Sequence, residues 1–138
     1  MLARLISPEG VLLDSEVYEL VVPTVEGDVS IMPGHTSLVI SLRPGVVHVT
    51  ARKDSDEHDH FAVGGGLLRV DGDTVEVSAE TAEHVDSIDE HRAHQALAEA
   101  KAALETHKEE SDIRATHHLV ERNLARLHAV KLRHHRRR

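Results

Sequence analysis

The 138-residue chain is 40% hydrophobic, contains no cysteine and carries a formal net charge of −8. That length holds one core with at most a small appendage, and the missing cysteine excludes disulfides, thiolate nucleophiles and Cys-type zinc sites. Residues 1–10 lack a signal-peptide apolar stretch and no apolar run approaches the ~20 residues that span a bilayer, so a soluble, untargeted, cytoplasmic protein is expected.

From Leu2 to about Ala82 the chain reads as short, Val-rich segments of period two, the pattern of an antiparallel sandwich or barrel with eight to ten strands. Val47, Val49 and Ala51 alternate with His48, Thr50 and Arg52, and Val75, Val77 and Ala79 alternate with Glu76, Ser78 and Glu80. Each predicts a strand with one buried and one wet face. Turn residues punctuate these segments at Pro8-Glu9-Gly10, Glu26-Gly27-Asp28, Pro33-Gly34-His35, Arg43-Pro44-Gly45 and Asp71-Gly72-Asp73. Gly64-Gly65-Gly66 leads into Leu67, Leu68 and Val70 with no helix start or GK[ST] to receive phosphate, so a bulge or tight strand crossing is expected there.

The period then changes. Ser87-Ile88-Asp89-Glu90 reads as a capping box opening a helix whose stripe is Ala93, Ala96, Ala100 and Leu104. Glu109-Glu110-Ser111-Asp112 is a polar connection with a fresh N-cap, and a second helix follows with Ile113, Val120, Leu124 and Leu127 inward, and Lys131 at the end of that stripe. A short connection makes the pair an antiparallel hairpin, giving a sandwich over residues 1–83 and a helical arm over 84–138. The alanine-rich seam offers little apolar surface, so weak docking and exchange between folded-down and opened arrangements are expected.

Thirteen histidines raise a metal reading. His91 and His94 lie one helical turn apart with His84 two turns back, but the remaining groups (His58 with His60, His117 with His118, His134 with His135) sit in a polar loop or as adjacent pairs, and solvated surface histidine is the expected account; no metal site is assigned. His35 has two readings, a ring that caps backbone carbonyls or one that faces a partner. No serine elbow or convergent acid pair is visible, so no catalytic residue is assigned.

Charge is polarised along the chain. Residues 1–111 hold 8 basic and 22 acidic side chains (net −14), residues 112–138 hold 8 and 2 (net +6). A basic tail suits an anionic partner, whether nucleic acid, acidic lipid or an acidic protein segment. Only Tyr18 and Phe61 are available for base stacking, which weighs against nucleic acid. The terminal Arg136-Arg137-Arg138, with Arg126, Lys131 and Arg133 upstream, reads either as a solvated tail or as a salt-sensitive electrostatic hook.

The stretch Val25-Glu26-Gly27-Asp28-Val29-Ser30-Ile31-Met32-Pro33-Gly34-His35, followed by Leu42-Arg43-Pro44-Gly45, resembles the signature of the epsilon family of F-type rotary ATP synthases, whose mitochondrial equivalent is called delta. The Gly-Gly segment before a strand, the strand at residues 75–80 and the helix opening Ile88-Asp89-Glu90-His91-Arg92-Ala93 extend the resemblance over nearly the whole chain. Ser30 stands where the family usually has glycine, and Met32 where it has an aromatic residue or leucine.

The resemblance implies a ten-strand sandwich bound to the gamma subunit and the c-ring, with the hairpin as a regulatory arm and no active site of its own. It implies a c-ring interface at Asp28 and His35. It further implies that the arm, extended along gamma, impedes ATP hydrolysis through Arg122, Arg126, Lys131 and Arg133 facing an acidic segment of the beta subunits. Some bacterial members bind ATP at the folded arm through a motif matched here by Ile88, Asp89, Arg92 and Ala93, with Arg122 and Arg126 assisting; Glu99 stands where those members tend to be basic. Asp89 and Arg92 also have a local reading, as a helix N-terminal acid and its ion-pair partner. No cofactor is required by this reading beyond such regulatory ATP. The implied location is peripheral, on the cytoplasmic face of a bacterial plasma membrane. Two other classes remain as alternatives: a free-standing adaptor or metal-responsive module, and an enzyme with a site in the sandwich.

Overall fold

The computed structural model describes residues 1–106 and 109–136, with the backbone alone for Ser111, His135 and Arg136. Arg137, Arg138 and the side chain of Arg136, which form the expected terminal hook, lie outside the described residues, as does the side chain of His135.

Among the described residues ten strands form: β1 (Leu2–Ser7), β2 (Gly10–Glu16), β3 (Glu19–Thr24), β4 (Gly27–Ile31), β5 (Leu38–Leu42), β6 (Gly45–Thr50), β7 (His58–Val63), β8 (Gly66–Asp71), β9 (Thr74–Ala79) and β10 (Ala82–His84). They pair in the order β10-β7-β6-β3-β5-β8-β9-β1-β2, with β4 added to β3. β2 and β10, at the two ends of that path, approach each other, so the sheet curls into a closed sandwich. One pairing departs from the expected antiparallel pattern: β1 runs parallel to β9, Ala3 beside Val75 and Leu5 beside Val77. Parallel neighbours need a long crossover, and here seven strands separate the two.

Inward side chains form one apolar core, in which Leu5, Leu20, Val22, Ile31, Val47 and Leu68 are essentially inaccessible. β9 alternates as its sequence predicts, Val75, Val77 and Ala79 inward. β6 does not. Val47 and Val49 point inward, but Thr50 is also buried, Val46 packs on a second apolar cluster, and Ala51 is exposed beyond the strand end. The face expected to be wet is covered by helix.

After β10 the chain makes a 3₁₀ turn (Val85–Ser87), then α1 (Glu90–Thr106) and α2 (Glu110–Arg136). The capping box is displaced: Ser87 lies in the 3₁₀ turn, and the α1 cap is Asp89, whose Oδ1 accepts from the Arg92 amide at 3.1 Å. α2 begins before the expected cap at Ser111-Asp112, with the Ile113 amide already donating to the Glu109 carbonyl at 3.0 Å. In α1 the buried stripe is Ala93, Leu97 and Ala100; Ala96 and Leu104 are only half-buried.

α2 faces two surfaces at once, α1 and the outward side of β6 and β7, which is why its stripe differs from the expected one. Thr116, Asn123, Ala125, Leu127, Ala129 and Val130 are buried, while Leu124 stays 46% exposed and Lys131 is exposed. The buried polar pair is satisfied within the helix, Thr116 Oγ1 donating to the Asp112 carbonyl and Asn123 Nδ2 to the Leu119 carbonyl. Val46, Ala62, Val85, Ile88, Ala93, Leu97, Leu127, Ala129 and Val130 make up the second cluster, separate from the sandwich core and holding the hairpin folded down. No described helix is long and apolar enough to cross a membrane.

Two clusters predict two separable responses. Leu68→Ala should lower global unfolding stability by about 2–5 kcal/mol in denaturant titrations, whereas Val130→Ala should speed amide exchange in α2 while leaving β8 and β9 protection unchanged.

Candidate functional site: the seat of the helical hairpin

The underside of α2 is anchored by three basic side chains that reach back to the sandwich and the α1 approach. Arg126 Nε lies 2.8 Å from Glu83 Oε1, and its Nη1 donates to Asn123 Oδ1 at 3.1 Å. Arg133 Nη1 donates to the Val85 and Ile88 carbonyls, at 2.8 and 3.1 Å, in the segment that leads into α1. Charge-assisted bonds of this kind contribute on the order of 1.5–3 kcal/mol when partly shielded from water. Arg122 lies flat over Gly64, and His118 over Gly65, with His118 Nε2 3.6 Å from Glu80.

The triple glycine is what lets the helix sit so low. Gly64 donates its amide to the Thr81 carbonyl and Gly65 accepts from the Glu80 amide, so the β7–β8 crossing is stitched to the β9–β10 connection. A Cβ on Gly64 would run into Thr81 Oγ1 and come within 2.8 Å of Arg122 Cδ. Gly66 (φ +133) is a position where a side chain would strike the Ser78 backbone. The tight crossing expected from the sequence is thus present, and it doubles as the hairpin's seat.

Of the residues assigned to ATP, Ile88 and Ala93 are buried in the hairpin cluster, so their side chains pack rather than contact solvent. Asp89 and Arg92 meet at the α1 start, Nε to Oδ2 3.9 Å, with Arg92 82% exposed. The cap bond from the Arg92 amide, then the Arg92 charge, holds the Asp89 carboxyl below the usual carboxylate range. Arg122 and Arg126 lie on α2, Arg126 already engaged by Glu83. Glu99 is exposed on α1. Of the four assigned braking cations, Arg122, Arg126 and Arg133 are turned inward in this arrangement and Lys131 faces the cleft.

Asp28 and His35 occupy opposite ends of β4. Asp28, exposed near its start, pairs with Arg43 at 3.3 Å. His35 lies in the loop beyond its end, Nδ1 donating to the Thr36 carbonyl at 2.7 Å, the carbonyl-capping arrangement that the sequence leaves open. His84 turns to Asp59 (2.6 Å), while His94 and His134 both face Glu90. The His134 hydrogen bond holds the Glu90 carboxyl below its ordinary value. Among the described residues no group of three or more His, Cys, Asp or Glu is spaced to hold a metal ion.

A cleft of about 820 Å³ opens between the β3–β6 turns and the hairpin, lined by Val25, Asp28, His48, Leu124, His128 and Lys131 among others. Sequence reasoning missed Glu83, Asn123, and His48 and His128 of the cleft. Their partners lie on the other side of an interface that no local pattern announces.

Residues 1–85 match the family described as ATP synthase, Delta/Epsilon chain, beta-sandwich domain. The ATP synthase epsilon chain of Herpetosiphon aurantiacus is 35% identical over 133 residues, covering 96% of each chain. That of Bordetella avium is 38% identical over 127 residues, 92% of this chain and 86% of its own. Among solved structures, a chain of the Euglena gracilis mitochondrial ATP synthase (OSCP/F1/c-ring) superposes with TM-score 0.74 at 24% identity, over 86% of this chain and 74% of that one. A chain of the Tetrahymena thermophila mitochondrial ATP synthase central stalk/c-ring gives 0.66 at 16% identity, over 94% and 95%. At these identities the two structures bear on the fold.

The seat predicts that Gly64→Ala lifts α2. Amide exchange along residues 116–130 should accelerate by at least about tenfold, a free-energy change near 1.4 kcal/mol, with strand protection retained; unchanged exchange would mean the glycine does not position the helix.

Proposed function

This chain belongs to the epsilon-chain family of ATP synthases, and from that premise we propose that it is a non-catalytic central-stalk subunit. In this reading the sandwich joins gamma to the c-ring, Asp28 and His35 contributing to the c-ring side, and the hairpin is an arm that limits ATP hydrolysis. The subunit would sit peripherally, through the complex, on the cytoplasmic face of a bacterial membrane.

The observation that supports an arm is the polar anchoring of its cations. Arg126 and Arg133 are anchored on Glu83 and on two carbonyls, bonds that an acidic segment of the beta subunits offers equally well. Between the two arrangements little apolar area changes hands, because the docked face is built largely from alanine and valine. Exchanging one carboxylate partner for another is then a near-balanced event, which is what a reversible brake requires.

Regulatory ATP is the second part of the reading. Arg92 and Arg126 are the cations that a triphosphate would engage, and Arg126 would have to exchange Glu83 for it. Glu99 on the same helix as Arg92 opposes binding. Adding millimolar MgATP to the labelled protein should shift hairpin amide signals around Asp89 and Arg92; unchanged spectra remove ATP from the account.

The braking role is tested by ATP hydrolysis in an alpha-beta-gamma subcomplex with and without this chain. Inhibition by the full chain should weaken with Lys131→Ala, which removes a cation without touching the anchors. Arg126→Ala has two opposed effects, freeing the arm and weakening its grip. Full-strength inhibition after all four of Arg122, Arg126, Lys131 and Arg133 are neutralised would exclude them as the braking contact.

A further inference from the structure

Histidines meet the hairpin interface in two chemically opposed ways. At its edges they face carboxylates: His118 lies 3.6 Å from Glu80, and His134 and His94 lie 3.0 and 3.9 Å from Glu90. At its centre they face one another. His48 on β6 is half-buried, stands edge-on to His60 of β7 with ring centroids 4.9 Å apart, and lines the same cleft as His128 of α2. Asp28 and Arg43 face that cleft from the sandwich, Glu90 and His94 from α1, and Glu121 and Lys131 from α2; His58 of β7 is close enough to act on His48.

We propose that His48 and His128 form a proton-sensitive latch: the hairpin rests on β6 and β7 while both rings are neutral, and acidification releases it. The latch presupposes the movable arm described above and adds the signal that moves it.

A half-buried imidazolium at His48 loses hydration, and the exposed His128 and Lys131 of α2, lining the same cleft, repel it when charged. Burial holds His48 below its ordinary value of 6.5, His128 and His58 push in the same direction, and Asp28 opposes them. The sign follows. The docked state binds fewer protons than the released one, so docking is strongest above the released-state value and weakens as pH falls through it. Each unit by which docking depresses the histidine changes the docking equilibrium by about tenfold. Of the edge pairs, His118–Glu80 joins the hairpin to the sandwich and acts oppositely, attracting more strongly when its histidine is charged, whereas the two Glu90 pairs lie within the hairpin. All three are solvent-exposed, where single ion pairs contribute little, and the His134 hydrogen bond holds the Glu90 carboxyl below its ordinary value. The half-buried centre therefore sets the sign.

The absence of cysteine allows two spin labels, at Asp71→Cys on the sandwich and Ala115→Cys on α2, with their separation read by double electron–electron resonance from about pH 8 to about pH 5.5. The long-distance population should rise several-fold on acidification. His48→Gln and His128→Gln should each reduce that rise and together abolish it, while His117→Gln, on the exposed side of α2, should leave it intact. No rise in the unsubstituted protein, or an undiminished rise in the double variant, overturns the latch. Should either variant misfold, the ring Cε1–H signal of His48 in the intact protein must titrate together with the loss of the docked distance; titration at a separate pH overturns it as well. Labels that separate on binding an alpha-beta-gamma subcomplex but not on acidification overturn the latch while leaving the movable arm standing.

Discussion

The contact between α2 and the outward face of β6 and β7 decides most of what this molecule can do. It converts the one side of the sandwich that would otherwise be wet into a second, smaller apolar cluster, and it is made mainly of alanine and valine. Small side chains let a helix approach a sheet closely but remove little area from water, so the apolar part of the docking is modest. Polar anchors supply the remainder: Arg126 on Glu83, Arg133 on the carbonyls before α1, and Arg122 over the glycine seat. Such bonds have a property that apolar burial lacks, since another carboxylate can replace them with little net change.

That division explains why the sandwich was legible in the sequence and the hairpin only partly. β9 shows period two because one side meets the core and the other meets water, both fixed by its own neighbours. β6 misleads because its outer side is covered by residues some eighty positions later, a cover that local alternation cannot encode. The parallel register of β1 with β9 has the same origin. In α2 the single-stripe expectation placed Leu124 inward; the helix instead divides its surface between α1 and the sheet, and Leu124 is left lining the cleft. The displaced caps have a local cause. Ser87 is consumed by a 3₁₀ turn, so Asp89 takes over the first amides of α1.

The candidate site was legible as a set of residue types and not as an arrangement. Arg122, Arg126 and Arg133 stand out by charge, yet Glu83 and the Val85 and Ile88 carbonyls become their partners only once the hairpin folds down. The same holds for the histidines. His48 and His128 are unremarkable in sequence, eighty residues apart, and line one cleft because α2 crosses β6. Asp28 and His35, both in the signature stretch, lie near the start and beyond the end of β4.

A subunit of this kind acts through its position, and the braking role proposed for the arm requires that it leave its seat. The most direct measurement pins it there, by joining Glu80→Cys and His118→Cys, a pair 3.6 Å apart across the interface that leaves the four cations in place, with a short bis-maleimide and assaying ATP hydrolysis by the alpha-beta-gamma subcomplex with the pinned and unpinned forms. Binding of both forms with inhibition by the unpinned form alone is the expected result. Equal inhibition by the pinned form would contradict it, since the restraint would then come from the sandwich and the arm's movement would be irrelevant.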